Sequence, residues 1–344
     1  MKKILLLILI MLSLVLCQAK GLNFESEFDF DLSYDNNILN LSEADQDQFE
    51  NNDKPEKYQI ESLDDLIMGF RYKLKAKHYW LGGHTQVLDV GIAYKKYLTN
   101  EVRDNITIST GVEQYFSSKL SANILYSYTP EIYLRQYHSV LDDEYHEFVY
   151  AKNGLRAELV WKMFSKLSLK YRFEYSQLYY NEWFTEYDTG VLTNNLYLNW
   201  NITKRLSTEF RYGRRSSDAD ADAAFSNPAE IEVIKDASYE GNIYSINLKC
   251  RKFISNFTLN LGYSLNEKFF DSEFEKDIYH EERDDYTHAA SASVLIPLAK
   301  GLKMVVHANY EERDTRSPYA SVINDKEYKT WKSGISFSYD INHK

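Results

Sequence analysis

The sequence predicts an all-β chain: a closed antiparallel transmembrane β-barrel of about fourteen strands, with short periplasmic turns and long acidic extracellular loops. Three observations predict it. A strict alternation of apolar and polar residues returns fourteen times between Leu22 and Ile341, in segments of the roughly ten residues that cross an outer membrane as a tilted strand. The connections alternate between short and long. The acidic residues crowd into the long ones.

Residues 1–19 read as a signal peptide, and 20–344 as one barrel domain. Lys2 and Lys3 precede an apolar run from Ile4 to Leu16 and a Cys17-Gln18-Ala19 stretch, which predicts cleavage after Ala19. The run is shorter than the ~20 residues of a spanning helix. Cys17 follows Leu16 where a lipidation site wants a small residue, so ordinary cleavage is expected. Cys250 is then the one remaining cysteine, which excludes an intramolecular disulfide.

The first strand sets the pattern. Leu22, Phe24, Phe28, Phe30, Leu32 and Tyr34 alternate with Asn23, Glu25, Glu27, Asp29, Asp31 and Ser33, so one face meets lipid and the other water. Further segments read at 64–77, 85–97, 104–116, 119–133, 147–163, 166–180, 188–202, 205–214, 242–252, 256–268, 285–297, 301–312 and 327–341. An even count returns both ends to the periplasm. Several tight links share one grammar, a Ser or Thr, then a basic residue and a Leu that restarts the strand: Ser117-Ser118-Lys119-Leu120, Ser165-Lys166-Leu167, Thr203-Lys204-Arg205-Leu206. Lys300-Gly301-Leu302 is a variant. The longest links are 35–63, 215–241 and 269–284.

Composition fits the same picture. The mean hydropathy of −0.50 does not argue against a membrane, because alternation hides hydrophobicity from averaging. The 29 Tyr against 5 Pro suit aromatic girdles. Residues 35–59 hold seven acids against two bases, 216–240 seven against one, and 267–285 nine against three, a larger excess than the whole chain's −11. The rest of the protein is therefore slightly basic, and an acidic mouth that favours cations is one expectation.

Parity assigns the inner wall. Glu25, Glu27, Asp29 and Asp31 face Arg71, Lys73, Lys75 and Asp65 across the first hairpin. Further round come Arg156, Glu158 and Lys162, then Lys170, Arg172 and Glu174, then Glu209 and Arg211, then Lys249 and Arg251. Asp89, Lys95, Glu113, Glu131, Lys303, Glu311, Lys332 and Asp340 complete a set with as many bases as acids. Facing ladders of this kind stabilise neighbouring strands and also line a permeation path. Small polar residues such as Asn195, Asn247, Gly262 and Ser291 leave space between them. Fourteen strands lie between the roughly eight that side chains fill and the 16–18 that leave an aqueous channel. The chain is too short for a plugged barrel of about 22 strands, although an acidic loop folding inward could still close the pore.

Other chemistries find little support. The eight His are scattered: His138 with Ser139 lies at a loop edge, and His288 points to the lipid face. No catalytic, cofactor or metal site is expected. Asp218, Asp220 and Asp222 imitate the start of a calcium loop, but Ala223 stands where Gly is needed and Ala229 where the final Glu is needed. Acidic loops disfavour nucleic acid.

Two resemblances sharpen the reading. Lys332, Gly334, Phe337 and Tyr339 resemble the terminal signal by which the barrel assembly machinery of Gram-negative outer membranes recognises its substrates, although the chain continues with Asp340 to Lys344. Leu32-Ser33-Tyr34-Asp35-Asn36-Asn37-Ile38 is similar to a segment near the start of uncharacterised porin-like barrels. The resemblance implies a porin-like barrel without fixing a substrate; the charge-paired polar wall and the strand number lead to the expectation of an outer-membrane channel for passive diffusion of small hydrophilic solutes, in contact with lipid and lipopolysaccharide. The competing expectation is a structural or surface-interaction barrel with a closed lumen and partner-binding loops.

Overall fold

A computed structural model of the chain describes residues 23–79, 83–139, 144–220, 236–270, 272, 274 and 277–343, with backbone alone at 342–343. Residues 1–19, read above as a signal peptide, together with Leu22, Asp222, Ala223 and Ala229, lie outside the described residues.

Fourteen antiparallel strands close into a barrel in sequence order. They are β1 (Asn23–Asp35), β2 (Asp65–Tyr79), β3 (Thr85–Tyr97), β4 (Asn105–Tyr115), β5 (Leu120–His138), β6 (Tyr145–Phe164) and β7 (Leu167–Tyr180), followed by β8 (Thr189–Asn201), β9 (Leu206–Ala219), β10 (Tyr239–Arg251), β11 (Thr258–Phe270), β12 (Asp284–Ala299), β13 (Leu302–Arg316) and β14 (Tyr328–His343). Every alternating segment of the sequence is one strand. Three run on well beyond their expected ends: β5, β9 and β13, which reaches Arg316. β5 continues from its expected end at 133 to His138; its register with β6 shifts at Pro130, which has no N–H for the ladder, and again between Tyr133 and Arg135. β9 reaches Ala219, beyond the point where its alternation fades.

The seam that makes the barrel pairs β1 with β14, setting Phe30 opposite Phe337 and Ser33 opposite Gly334. Gly334 is required there: a Cβ would lie 2.6 Å from the Leu32 carbonyl oxygen and 2.7 Å from the Ser33 Cβ. The short-turn grammar also has a physical cause. The Ser117 hydroxyl accepts from the amides of Lys119 and Leu120, both at 3.1 Å, and the Thr203 hydroxyl accepts from those of Arg205 and Leu206. The hydroxyl thus satisfies the amides a tight turn would leave open. Gly301 supplies the positive φ, 79°, of the last short turn.

Large apolar side chains project from the outer face of nearly every strand, among them Phe28, Leu159, Trp161, Leu196, Trp200 and Ile335. Polar residues on that face are covered. Tyr126, Tyr171 and Tyr212 donate to Asn153, Asn194 and Asn242 at 2.7, 2.6 and 3.4 Å, and Tyr263 pairs with His288 at 2.8 Å. Each such tyrosine leans towards the end with the long loops, and each spares an amide or imidazole from meeting lipid unpaired. This belt makes the chain an integral membrane barrel; no described helix is long and apolar enough to cross a membrane.

The long links carry further structure: α1 (Glu43–Glu50) between β1 and β2, α2 (Ala320–Lys326) between β13 and β14, and three single turns of 3₁₀ helix. These links do not stand away from the barrel. Ile38, Leu39, Leu41, Tyr58 and Ile60 from the first link pack with Ile67, Tyr97 and Tyr133 from the strands into one buried apolar cluster. Leu41 is 1 % exposed and Val322 of α2 0 %. The Asn37 side chain clamps the chain before α1, exchanging bonds of 2.8 Å with both the N–H and the C=O of Leu41, and Asn36 accepts from the Trp331 amide at 2.6 Å. The Asp35-Asn36-Asn37 segment singled out in the sequence therefore anchors the first link to the closing strand.

Candidate functional site: the inner wall and its loop cap

The inner wall is built from ion pairs. In the first hairpin, Arg71 bridges Asp29 at 2.6 Å and Glu27 at 3.3 Å, while Lys75 reaches Glu27 at 3.1 Å. Lys77 pairs with Glu25 at 2.6 Å and Lys73 with Asp89 of β3 at 3.1 Å. Asp31 sits across the seam, accepting from Ser336 at 2.6 Å and lying 2.9 Å from the His307 ring nitrogen. These contacts follow from register, since Glu27 lies opposite Lys73 and Asp29 opposite Arg71. Asp65 is different from the ladder residue expected. Its carboxylate accepts from the amides of Leu98, Thr99 and Asn100, so it caps the link between β3 and β4.

A second group surrounds Tyr197 of β8, which is 4 % exposed. The Lys170 ammonium stands 3.9 Å from its ring centre, and the guanidinium groups of Arg172 and Arg211 at 5.0 and 5.5 Å. Carboxylates balance these cations. Arg156 meets Glu174 at 3.1 Å, Arg172 bonds Glu158, and Lys170 lies 3.7 Å from Glu209. Asn195 links the two halves, donating to Glu174 at 3.1 Å and accepting from Arg211 at 2.9 Å. The structure thus joins Arg156, Glu158, Lys170, Arg172, Glu174, Glu209 and Arg211 into one network. Lys249 and Arg251 stand apart from it, at the short-turn end of β10, both exposed. Near the same end Lys303 pairs with Asp340 at 2.6 Å. Lys332, Gly334, Phe337 and Tyr339 all lie on β14, with Phe337 and Tyr339 on the outer face.

The long-loop end is closed in. Besides the apolar cluster under the first link, rings from β5, β6, β7 and the link after β7 pack edge to face: Phe148 meets Phe184 at 5.0 Å and Tyr187 at 5.1 Å, and stacks on Tyr180 at 4.7 Å. Phe184 is 1 % exposed. Ionic contacts tie down the links on the far side. Asp277 holds the His280 ring at 2.9 Å, Arg283 lies 3.4 Å from Asp285, and Asp285 accepts from Thr315 at 3.0 Å. Among the described residues, basic as well as acidic groups stand at this end.

Tyr197 and the cap residues Arg103, Arg135, His280 and Lys326 were not among the expected wall positions. Tyr197 shares parity with Asn195 and Asn199, so that signal was present, but tyrosine is equally at home on a lipid face. The cap residues come from three separate links and the upper part of β5, and leave no spacing signal.

No family model and no curated protein matches the chain. Among solved structures, the outer membrane channel DcaP of Acinetobacter baumannii is similar over 93% of this chain and 97% of its own, at 10% identity and a TM-score of 0.51. The CymD monoaromatic hydrocarbon channel covers 95% and 91%, at 9% identity and 0.50. An anion-selective porin from Comamonas acidovorans covers 93% and 99%, at 8% identity and 0.49. With its closed fourteen-stranded antiparallel sheet and lipid-facing belt, the chain has the porin-like fold of integral outer-membrane β-barrels.

Proposed function

We propose that the protein is an outer-membrane channel through which small hydrophilic solutes diffuse passively. Residues 1–19 would direct its export, the β14 pattern its delivery to the assembly machinery, and the outer belt its contact with lipid and lipopolysaccharide. The observation that carries the channel reading is the inner wall: charged side chains pair with one another across β1, β2 and β3, and again around Tyr197, instead of filling the interior with apolar groups. A wall of this kind satisfies its charges and still presents hydrogen-bonding groups to passing solute. Barrels of like fold include channels, which agrees with this reading. A second reading, a closed barrel whose loops engage a partner, is favoured by the buried core beneath the first link.

Single-channel recording of the refolded protein in a planar bilayer under a salt gradient separates the two. Discrete openings are expected, and silence from demonstrably inserted protein would reject the channel. Replacing Arg71, Lys73 and Lys75 together by Glu is expected to shift the reversal potential towards cations. An unchanged potential would remove these residues from the permeation path.

A further inference from the structure

The links that meet inside the long-loop end enclose a cavity of about 230 Å³. Its charge is the reverse of what the acidic loop sequences suggest. Arg103, Arg135 and Lys326 present cations to it and His280 an imidazole, and among the described residues no carboxylate lines it. Among the described residues, acids close by have other partners: Asp285 has Arg283 and Thr315, Asp277 has His280, Asp45 has Lys57, and Asp325 accepts from the Tyr279 hydroxyl at 3.2 Å. Among the described residues, two of the cations have few acceptors. Arg103 donates to the Tyr133 carbonyl and stands 5.7 Å from the Tyr97 ring centre, while its buried Nε has no acceptor among the described residues. Lys326 has the Tyr279 ring, 5.0 Å away, and no carboxylate within ion-pair distance among the described residues. Burial, and then the neighbouring Arg135, Arg283 and Arg313, push its ammonium down to about 7 against the pull of Asp285. Like charges gathered in a half-enclosed space repel, and an anion among them relieves the cost.

The remainder of the wall is apolar. Tyr137, Phe148, Tyr187 and Tyr279 bring rings to it, and Ile38 and Leu39 add aliphatic surface. We propose that this cavity binds a small organic anion, a carboxylate carried on a flat apolar or aromatic body. Arg103, Arg135 and Lys326 take the carboxylate, and the rings pack against the body. An Arg–carboxylate contact supplies charge-assisted hydrogen bonds and the apolar lining supplies burial, the usual division of labour in a small-molecule site. The site lies in the loop cap and does not require the lumen to conduct, so its test is separate from the conductance test.

The test is a calorimetric titration of folded protein in detergent micelles, at slightly acidic pH, with benzoate, benzamide and acetate as probes. Benzoate is expected to bind saturably at one site. Benzamide, which keeps the ring and loses the charge, and acetate, which keeps the charge and loses the ring, are each expected to bind at least about tenfold more weakly. Arg135→Gln and Lys326→Gln are each expected to weaken benzoate by a similar factor, while Lys249→Gln, at the opposite end of the barrel, leaves it unchanged. The probe comparison is made on the unmodified protein and so holds even if a variant folds poorly. Absence of saturable benzoate binding, equal binding of benzamide, or undiminished affinity in folded R135Q and K326Q would overturn the anion site. Equal binding of acetate would overturn the claim about the ligand's body.

Discussion

Lys326 and His280 give the cap a pH dependence whose sign can be worked out. Lys326 falls from 10.5 to about 7 in the closed cap, through burial first and the guanidinium groups of Arg135, Arg283 and Arg313 next, with Asp285 opposing. An opened cap therefore binds more protons than a closed one between those two values. Closure gains stability as the pH rises through that window, and the full penalty is present below about 7. His280 acts in the same direction, lowered from 6.5 by burial, with Arg283 and Lys326 adding to the effect and Asp277 opposing it. The cap should loosen on acidification. Hydrogen exchange in α2 and in residues 277–283, corrected for intrinsic rates, should be faster in mildly acidic than in mildly alkaline buffer, and Lys326→Met should remove most of the difference. Equal protection at both pH values would mean that these groups do not govern closure. Benzoate should reverse the trend, because an anion stabilises charged Lys326; its affinity should fall as the pH climbs past about 7.

At the scale of strands and turns, the elements differ in how much each residue matters. Gly334 lies where a Cβ meets the β1 backbone, so Gly334→Val must push apart the pair that closes the barrel. Overpacking of this kind costs about 1–3 kcal/mol, to be read from urea unfolding in lipid vesicles. Ser117→Ala or Thr203→Ala removes a turn acceptor that solvent replaces in part, and about 1 kcal/mol or less is expected. A Gly334→Val barrel no less stable than the turn variants would mean that the seam relaxes freely. This hierarchy was partly readable from sequence. Period-two alternation survives in every strand because lipid and water impose it on opposite faces, so strand number, parity and the Glu27–Lys75 type of pairing were all legible. Alternation lapses where the outer face leaves the lipid, and there the continuation of β5 to His138 and of β9 to Ala219 could not be read. The cavity was illegible for another reason: Arg103, Arg135, His280 and Lys326 are brought together by the folding of four chain regions that share no motif.

Taken whole, the molecule has two compartments with different physics. The lower lumen is a wall of paired charges whose partners keep each other in place, while the upper end is a small apolar core formed by links that a barrel does not need for its own ladder of hydrogen bonds. The strand pairing runs unbroken from β1 to β14, so the sheet carries the barrel's stability and the cap can be altered separately. If solute passes, resistance should then reside in the cap, since Leu41, Val322 and Phe184 occupy space that a paired wall leaves open. Replacing residues 43–57 by a short Gly/Ser link removes α1 and the ion pair between Lys57 and Asp45 at 2.5 Å, together with the Phe49 ring that packs edge-on against Tyr58. It leaves the Asn37 clamp and every strand in place. Conductance should rise several-fold while the barrel still inserts and resists unfolding, and cation selectivity from the Arg71, Lys73 and Lys75 replacements should become more pronounced once the cap no longer limits the current. If conductance is unchanged in a correctly inserted deletion, the constriction lies lower, and the network around Tyr197 is the place to look for it.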